Sequence, residues 1–162
     1  MKKILTFILV FALCLGALCS CGADAAEVAG TYKIEKNIYY ATLVDKAYNT
    51  TDGYSIEQKD GKTVLFVSHV GISGEDIKSE AGELKAFSLS KSNFDDIIFG
   101  EAWDEGATES GLRKNNKAAW ETSNKTGENF YVMLQKDGSV LISCIKSKEG
   151  VKSCAYIRKI VK

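Results

Sequence analysis

The sequence has no proline and one histidine, His69. Without proline, an edge strand cannot be guarded by a residue that lacks an N–H, so lysines such as Lys146, Lys148 and Lys152 are the expected guards against edge-to-edge pairing. One histidine and few cysteines cannot complete a four-ligand zinc site without carboxylates, and neither a metal nor a cofactor is expected. Charge of one sign is lacking too. The 21 basic residues are matched by 21 acidic ones. No stretch gathers the lysines into a basic patch, which argues against a nucleic-acid partner. No apolar run reaches the roughly 20 residues of a bilayer span.

What is present starts with the longest apolar run, Ile4 to Leu18, preceded by Lys2 and Lys3 and followed by Leu18-Cys19-Ser20-Cys21. A basic start, a run of about 15 apolar residues and small residues after it have the form of an export signal. The whole resembles the lipobox signal of bacterial lipoproteins, in which the cysteine becomes the lipid-bearing first residue. Cys19 stands where alanine or serine is usual. The resemblance implies cleavage before Cys21, diacylation of Cys21 and an extracytoplasmic, lipid-anchored location at the cell membrane. Two acyl chains anchor stably where one is marginal. The competing readings are an ordinary secreted protein and an N-terminal anchor helix. The expected organisation is a signal peptide over 1–20, a lipidated cysteine and tether over 21–29, and one domain of ordinary size over 30–162. Removing Lys2 and Lys3 leaves 19 basic against 21 acidic residues, a net charge of −2. The small, acidic stretch Gly22–Ala29 reads as a tether of about 25–30 Å when extended.

The C-terminal third, Phe130 to Val161, reads as three antiparallel strands. Asp137-Gly138 joins the first two as a two-residue type I′ turn, and Lys148-Glu149-Gly150 joins the last two as a three-residue loop. That register puts Phe130, Val132, Leu134, Leu141, Ile145, Ala155 and Ile157 on one face. Tyr131, Met133, Val140, Ile142, Cys144, Cys154, Tyr156 and Arg158 fall on the other. Upstream, Gly30–Glu35 and Ile38–Val44 form a first strand bent at Lys36-Asn37. Asp60-Gly61 makes a second hairpin that faces Tyr54 to Val67 and Ile56 to Leu65. Gly71–Gly82 reads as a loop, Leu84–Leu89 as a strand, and Ser92–Gly100 as a short helix with Ser92 as N-cap. Glu101–Asn116 reads as a long polar loop holding Trp103, and Trp120 lies in a strand. The fold class is therefore all-β: about eight antiparallel strands in a meander or barrel, with one short helix.

Gly30-Thr31-Tyr32 at the start of the first strand and Arg158 near the end of the last resemble the layout of a lipocalin-like barrel. In that family a Gly-x-Trp opens the first strand, and an arginine from the last strand packs over the ring at the closed end. The resemblance implies that Tyr32 and Arg158 form a structural pair of this kind, and that the barrel holds a small apolar or amphipathic ligand.

No catalytic residue is expected. The acids Asp95, Asp96, Glu101, Asp104, Glu105 and Glu109 do not follow the spacing of a calcium loop. His69 has neighbouring serines but no Gly-x-Ser-x-Gly elbow. Trp103, an aromatic in a long loop, is the candidate contact for a ligand or partner. The three-residue loop would set Cys144 opposite Cys154, with Cα atoms about 4.5 Å apart, near enough for a disulfide outside the cytoplasm. Two functions follow: a tethered barrel that binds a small apolar molecule, and an envelope protein–protein interaction module, an inhibitor or assembly factor, whose barrel is filled by its own side chains. Interior volume separates them.

Overall fold

Period-two alternation of apolar and polar residues, broken by Asp-Gly and Gly-bearing turns, commits this chain to strands. The computed structural model describes residues 23–42, 53–91, 93, 107–148 and 151–162, with the backbone alone at 41, 42, 148 and 151–154. Among the described residues there are nine strands: β1 (Gly30–Thr42), β2 (Gly53–Lys59), β3 (Lys62–Val70), β4 (Asp76–Glu83), β5 (Lys85–Phe87), β6 (Asn116–Ser123), β7 (Glu128–Gln135), β8 (Val140–Lys148) and β9 (Val151–Val161). Helix α1 (Glu109–Asn115) precedes β6. The strands form one antiparallel sheet in the order β4-β3-β2-β1-β9-β8-β7-β6-β5.

The two outer strands of that order, β4 and β5, are consecutive in the chain and separated by Leu84 alone. Leu84 donates its N–H to Thr63 O at 2.8 Å, so the bend stays bonded to β3. One bent run therefore serves both edges, and the sheet curls into a barrel-like body. The seam is tight at Gly82, which has φ +136°. A Cβ there would lie 2.6 Å from Thr122 Oγ1 and 3.4 Å from Ser123 O of β6. Only glycine accepts both that dihedral and that approach.

The inner face is a continuous apolar cluster. Tyr32, Tyr54, Ile56, Leu65, Trp120, Phe130, Val132, Ile142 and Tyr156 are all buried in it. A barrel of about eight strands has an interior just wide enough for side chains to fill. A second cluster lies on the outer face, where Tyr39, Met133, Leu141, Ile145 and Ile157 pack under Leu89, Ala107 and Leu112 of the β5–β6 connection. The barrel wall from β6 round to β1 is thus buried on both sides. Each such large apolar side chain contributes about 1.5–3 kcal/mol when fully buried.

The second-hairpin register is as expected: Asp60 and Gly61 both have positive φ, and Tyr54 faces Val67 while Ile56 faces Leu65. The Asp137-Gly138 hairpin is corrected by one residue. Leu134 pairs with Val140 and Gln135 N donates to Ser139 O at 2.8 Å, so the loop holds the three residues 136–138, and Ser139 N donates to Asp137 Oδ1 at 2.9 Å. A one-residue slip moves a strand's side chains to the other face. Val140, Ile142, Cys144, Tyr156 and Arg158 accordingly join Phe130, Val132 and Leu134 inside, and Leu141 and Ile145 go outside. Most of Gly71–Gly82, expected as loop, belongs to β4 (Asp76–Glu83). Its charged residues face solvent and pair with neighbours, Lys59 with Glu80 at 2.7 Å and Lys62 with Glu83 at 2.8 Å.

The polar loop expected over 101–116 contains α1. Thr108 caps it by accepting from Gly111 N at 3.1 Å, and Glu109 pairs with Arg113 one turn on at 2.9 Å. The helix expected over 92–100 lies outside the described residues apart from Asn93. The seam yields a first prediction: Gly82→Ala should lower stability by about 1–3 kcal/mol through the strained dihedral and the clash with Thr122. Urea unfolding measures it, and an unchanged midpoint would contradict the close approach.

Candidate functional site

On β9, alternation turns Tyr156 and Arg158 inward and Ile157 outward. Arg158 is only 2% exposed. β1 carries two bulges, between Ile34 and Lys36 and between Asn37 and Tyr39, and these bring Asn37 opposite Arg158. The Arg158 Nε donates to Asn37 Oδ1 at 3.0 Å, and its Nη1 donates to the Tyr54 hydroxyl at 3.1 Å. The guanidinium lies 4.0 Å from the centre of the Tyr156 ring. The Tyr54 and Tyr156 hydroxyls are 3.0 Å apart.

Among the described residues no carboxylate forms an ion pair with Arg158. Burying a cation this way is costly. The offsetting contacts are a desolvated cation–π contact of about 2 kcal/mol and charge-assisted hydrogen bonds of about 1.5–3 kcal/mol each. Burial raises the pKa of Tyr54, and the nearby Arg158 charge only partly opposes it. Burial pushes Tyr156 well above its ordinary value, helped by Cys144 and Tyr54 beside it. Both phenols therefore stay protonated at neutral pH. The cluster offers positive charge and hydrogen-bond donors, the chemistry that receives an anion.

Two further surfaces stand out. A groove of about 420 Å³ runs along the outside of the seam, between Gly82, Glu83 and Lys85 on one side and Glu121, Thr122, Ser123, Asn129 and Tyr131 on the other. It is polar, and its Glu83 is engaged by Lys62, which holds that carboxyl below its usual range. The β3–β4 turn carries Val70, 53% exposed, and Ile72, fully exposed. His69 lies just before them, half-buried opposite Ile77.

The expected Tyr32–Arg158 pair is not formed. The cation over the Tyr32 ring is Lys162, at 5.6 Å, and the Tyr32 hydroxyl donates to Val28 O at 2.6 Å. Arg158 instead covers Tyr156, its same-face neighbour two residues back, as strand geometry favours. The facing register on which the Cys144–Cys154 disulfide was expected is also absent. Cys144, buried, lies opposite Tyr156, and Cys154 lies opposite Lys146. A register shift between Lys146 and Ser147, with Lys148 closing on Val151, displaces the pairing by two residues. Cys21 and Trp103 lie outside the described residues. No group of metal-ligating side chains is found among the described residues. The sequence reading named Arg158 but missed Tyr54 and Asn37 as its partners. Tyr54 was already on a face with Val67, and only the β1–β9 pairing links that face to Arg158.

Comparison with known proteins matches no family model, no curated protein and no solved structure.

Two outcomes follow from the cluster. Arg158→Ala should destabilise by several kcal/mol, because it removes packing as well as charge, whereas Arg158→Met should cost much less by keeping the stem volume and leaving the two hydroxyls bonded to each other. Urea unfolding of both variants checks the order. Tyrosines with raised folded pKa contribute stability that is fully present below their ordinary value near 10 and is lost as pH rises through the higher folded value. Phenolate absorbance from Tyr54 and Tyr156 should therefore appear only with alkaline unfolding. The double Tyr54→Phe, Tyr156→Phe variant should show a shallower loss of stability above about pH 10.

Proposed function

We propose that this chain is a membrane-tethered, extracytoplasmic lipoprotein whose barrel is a non-catalytic protein–protein interaction module of the cell envelope. The observation that carries this reading is the filled interior. Tyr32, Tyr54, Ile56, Leu65, Trp120, Phe130 and Tyr156 occupy the inner face together, at 5% exposure or less. Leu134 lies in that inner cluster with them, whereas Leu141 lies outside it. A body filled in this way recognises through its surface. The exposed Val70 and Ile72 at the β3–β4 turn are the apolar contact it offers. A second reading, a small amphipathic ligand, is favoured by one feature, the buried Arg158 with no carboxylate partner among the described residues. Such a ligand would bring a carboxylate or phosphate to the guanidinium.

The anchor is Cys21, and Cys21→Ser should shift the protein from the membrane fraction to a soluble or uncleaved form. Membrane-bound Cys21→Ser protein of mature size would refute the anchor. Native mass spectrometry of protein purified from its own host separates the two binding readings. A protein complex supports the interaction module, whereas an adduct of a few hundred daltons on the monomer supports the amphipathic ligand. Ile72→Asp should dissociate the complex while changing stability by less than about 0.5 kcal/mol, the usual range for an exposed position.

A further inference from the structure

The stretch expected to be a tether is folded onto the barrel. Asp24 caps a single 3₁₀ turn, Ala25–Val28, by accepting from Ala26 N at 3.0 Å. Val28 is fully buried and Ala23 packs against the inner cluster. Glu27 pairs with Lys117 at 2.8 Å, which ties the turn to the start of β6. Only two Cα steps separate Cys21 from the docked Ala23, a reach of about 7–8 Å. A lipid on Cys21 therefore cannot hold the barrel far from the bilayer. It brings down the end of the barrel on which residues 23–29 lie.

That end is set by the topology. It gathers the start of β1, the β2–β3 turn, the β7–β8 turn, the α1–β6 junction and the end of β9. Lys136 N donates to Asn115 O at 2.8 Å, its Nζ reaches Lys114 O at 2.7 Å, and Lys162 lies over Tyr32. Lys33, Lys114, Lys136 and Lys162 are exposed there, and none forms an ion pair with a carboxylate among the described residues. Three acids of the same end are engaged within it, Asp24 on Ala26, Glu27 on Lys117 and Asp137 on Ser139, while Asp60 of the β2–β3 turn is exposed there between Lys59 and Lys62. The β3–β4 turn belongs to the other end, since β1 and β3 both run away from the base.

We infer that this base rests on the bilayer, with its four lysines against anionic lipid phosphates, so that Val70 and Ile72 face away from the membrane. The inference rests on the Cys21 anchor proposed above. Lysines close to an anionic leaflet gain attraction that decays within a Debye length, so contact needs the short reach that the docked turn enforces.

The test uses the full acylated protein, its intact mass first establishing the acyl group on Cys21. It is reconstituted into phosphatidylcholine–phosphatidylglycerol vesicles containing a phosphatidylethanolamine with a photo-crosslinker on its headgroup, and cross-linked peptides are identified by mass spectrometry. Cross-links should fall on peptides spanning 24–33, 112–118 and 135–139 at least about fivefold more than on 70–76. Lys114→Glu, Lys136→Glu and Lys162→Glu combined should cut base cross-linking at least about threefold with the circular dichroism spectrum unchanged. An even distribution, or one favouring 70–76, overturns the orientation while the anchor stands. Unaltered cross-linking in the charge-reversed variant overturns the lysine contact. An unacylated Cys21 overturns the anchor and the orientation with it.

Discussion

The pairing of β1 with β9 is the constraint on which the rest of the structure depends. These strands are nearly the full chain apart, yet they pair from Lys33–Val161 to Thr42–Cys154. Joining them places the β1–β2–β3–β4 half beside the β5–β9 half, and the continuous β4–β5 run links the other edges. Without it each half would expose an apolar face. The first bulge in β1 re-phases the strand so that Asn37 turns inward, and the second restores the phase, with Ile38 and Tyr39 outward under the β5–β6 connection and Tyr40 inward. The same re-phasing supplies Asn37 to Arg158. One long-range ladder therefore shapes both hydrophobic layers and the polar cluster between them.

Much of this fold can be read in the residues, and the failures have physical causes. Two Asp-Gly pairs mark hairpins, and both hairpins exist. The pair at 60–61 forms the two-residue turn with both residues at positive φ. At 137–138 only Gly138 has positive φ, and Asp137 spends its carboxylate on Ser139, so the loop is one residue longer. The dipeptide does not distinguish these cases, because the choice depends on which side chain finds a local partner. β4 was illegible for a different reason. As an edge strand with charged residues paired to β2 and β3, it lacks the apolar alternation that reveals a strand. The Cys144–Cys154 register failed because the strands close on Lys148–Val151 and a bulge then adds a second residue of shift, neither of which leaves a trace in composition. Of the site, Arg158 was visible from its place in the last strand, but Tyr54 and Asn37 become its partners only through the β1–β9 ladder.

Arg158 shows how a filled barrel can keep a charge. Its side chain is buried, its head rests on an aromatic face, and neutral oxygens accept its hydrogen bonds. The two phenols are held protonated by the same burial that makes the cation costly.

The β1–β9 ladder also fixes the order in which this body can be completed. Local hairpins such as β2–β3 and β7–β8 need only short loops to close, whereas β1 has no partner on one side until the last dozen residues have been made and turned back. Folds dominated by such distant pairings close slowly. Until then β1 is an open edge that carries Tyr32, Ile38, Tyr39 and Tyr40, a segment rich in the residues that pair with other chains. The interval between release of β1 and arrival of β9 is the time during which this chain is most exposed to aggregation, and the speed of that final step sets how much of it survives to fold.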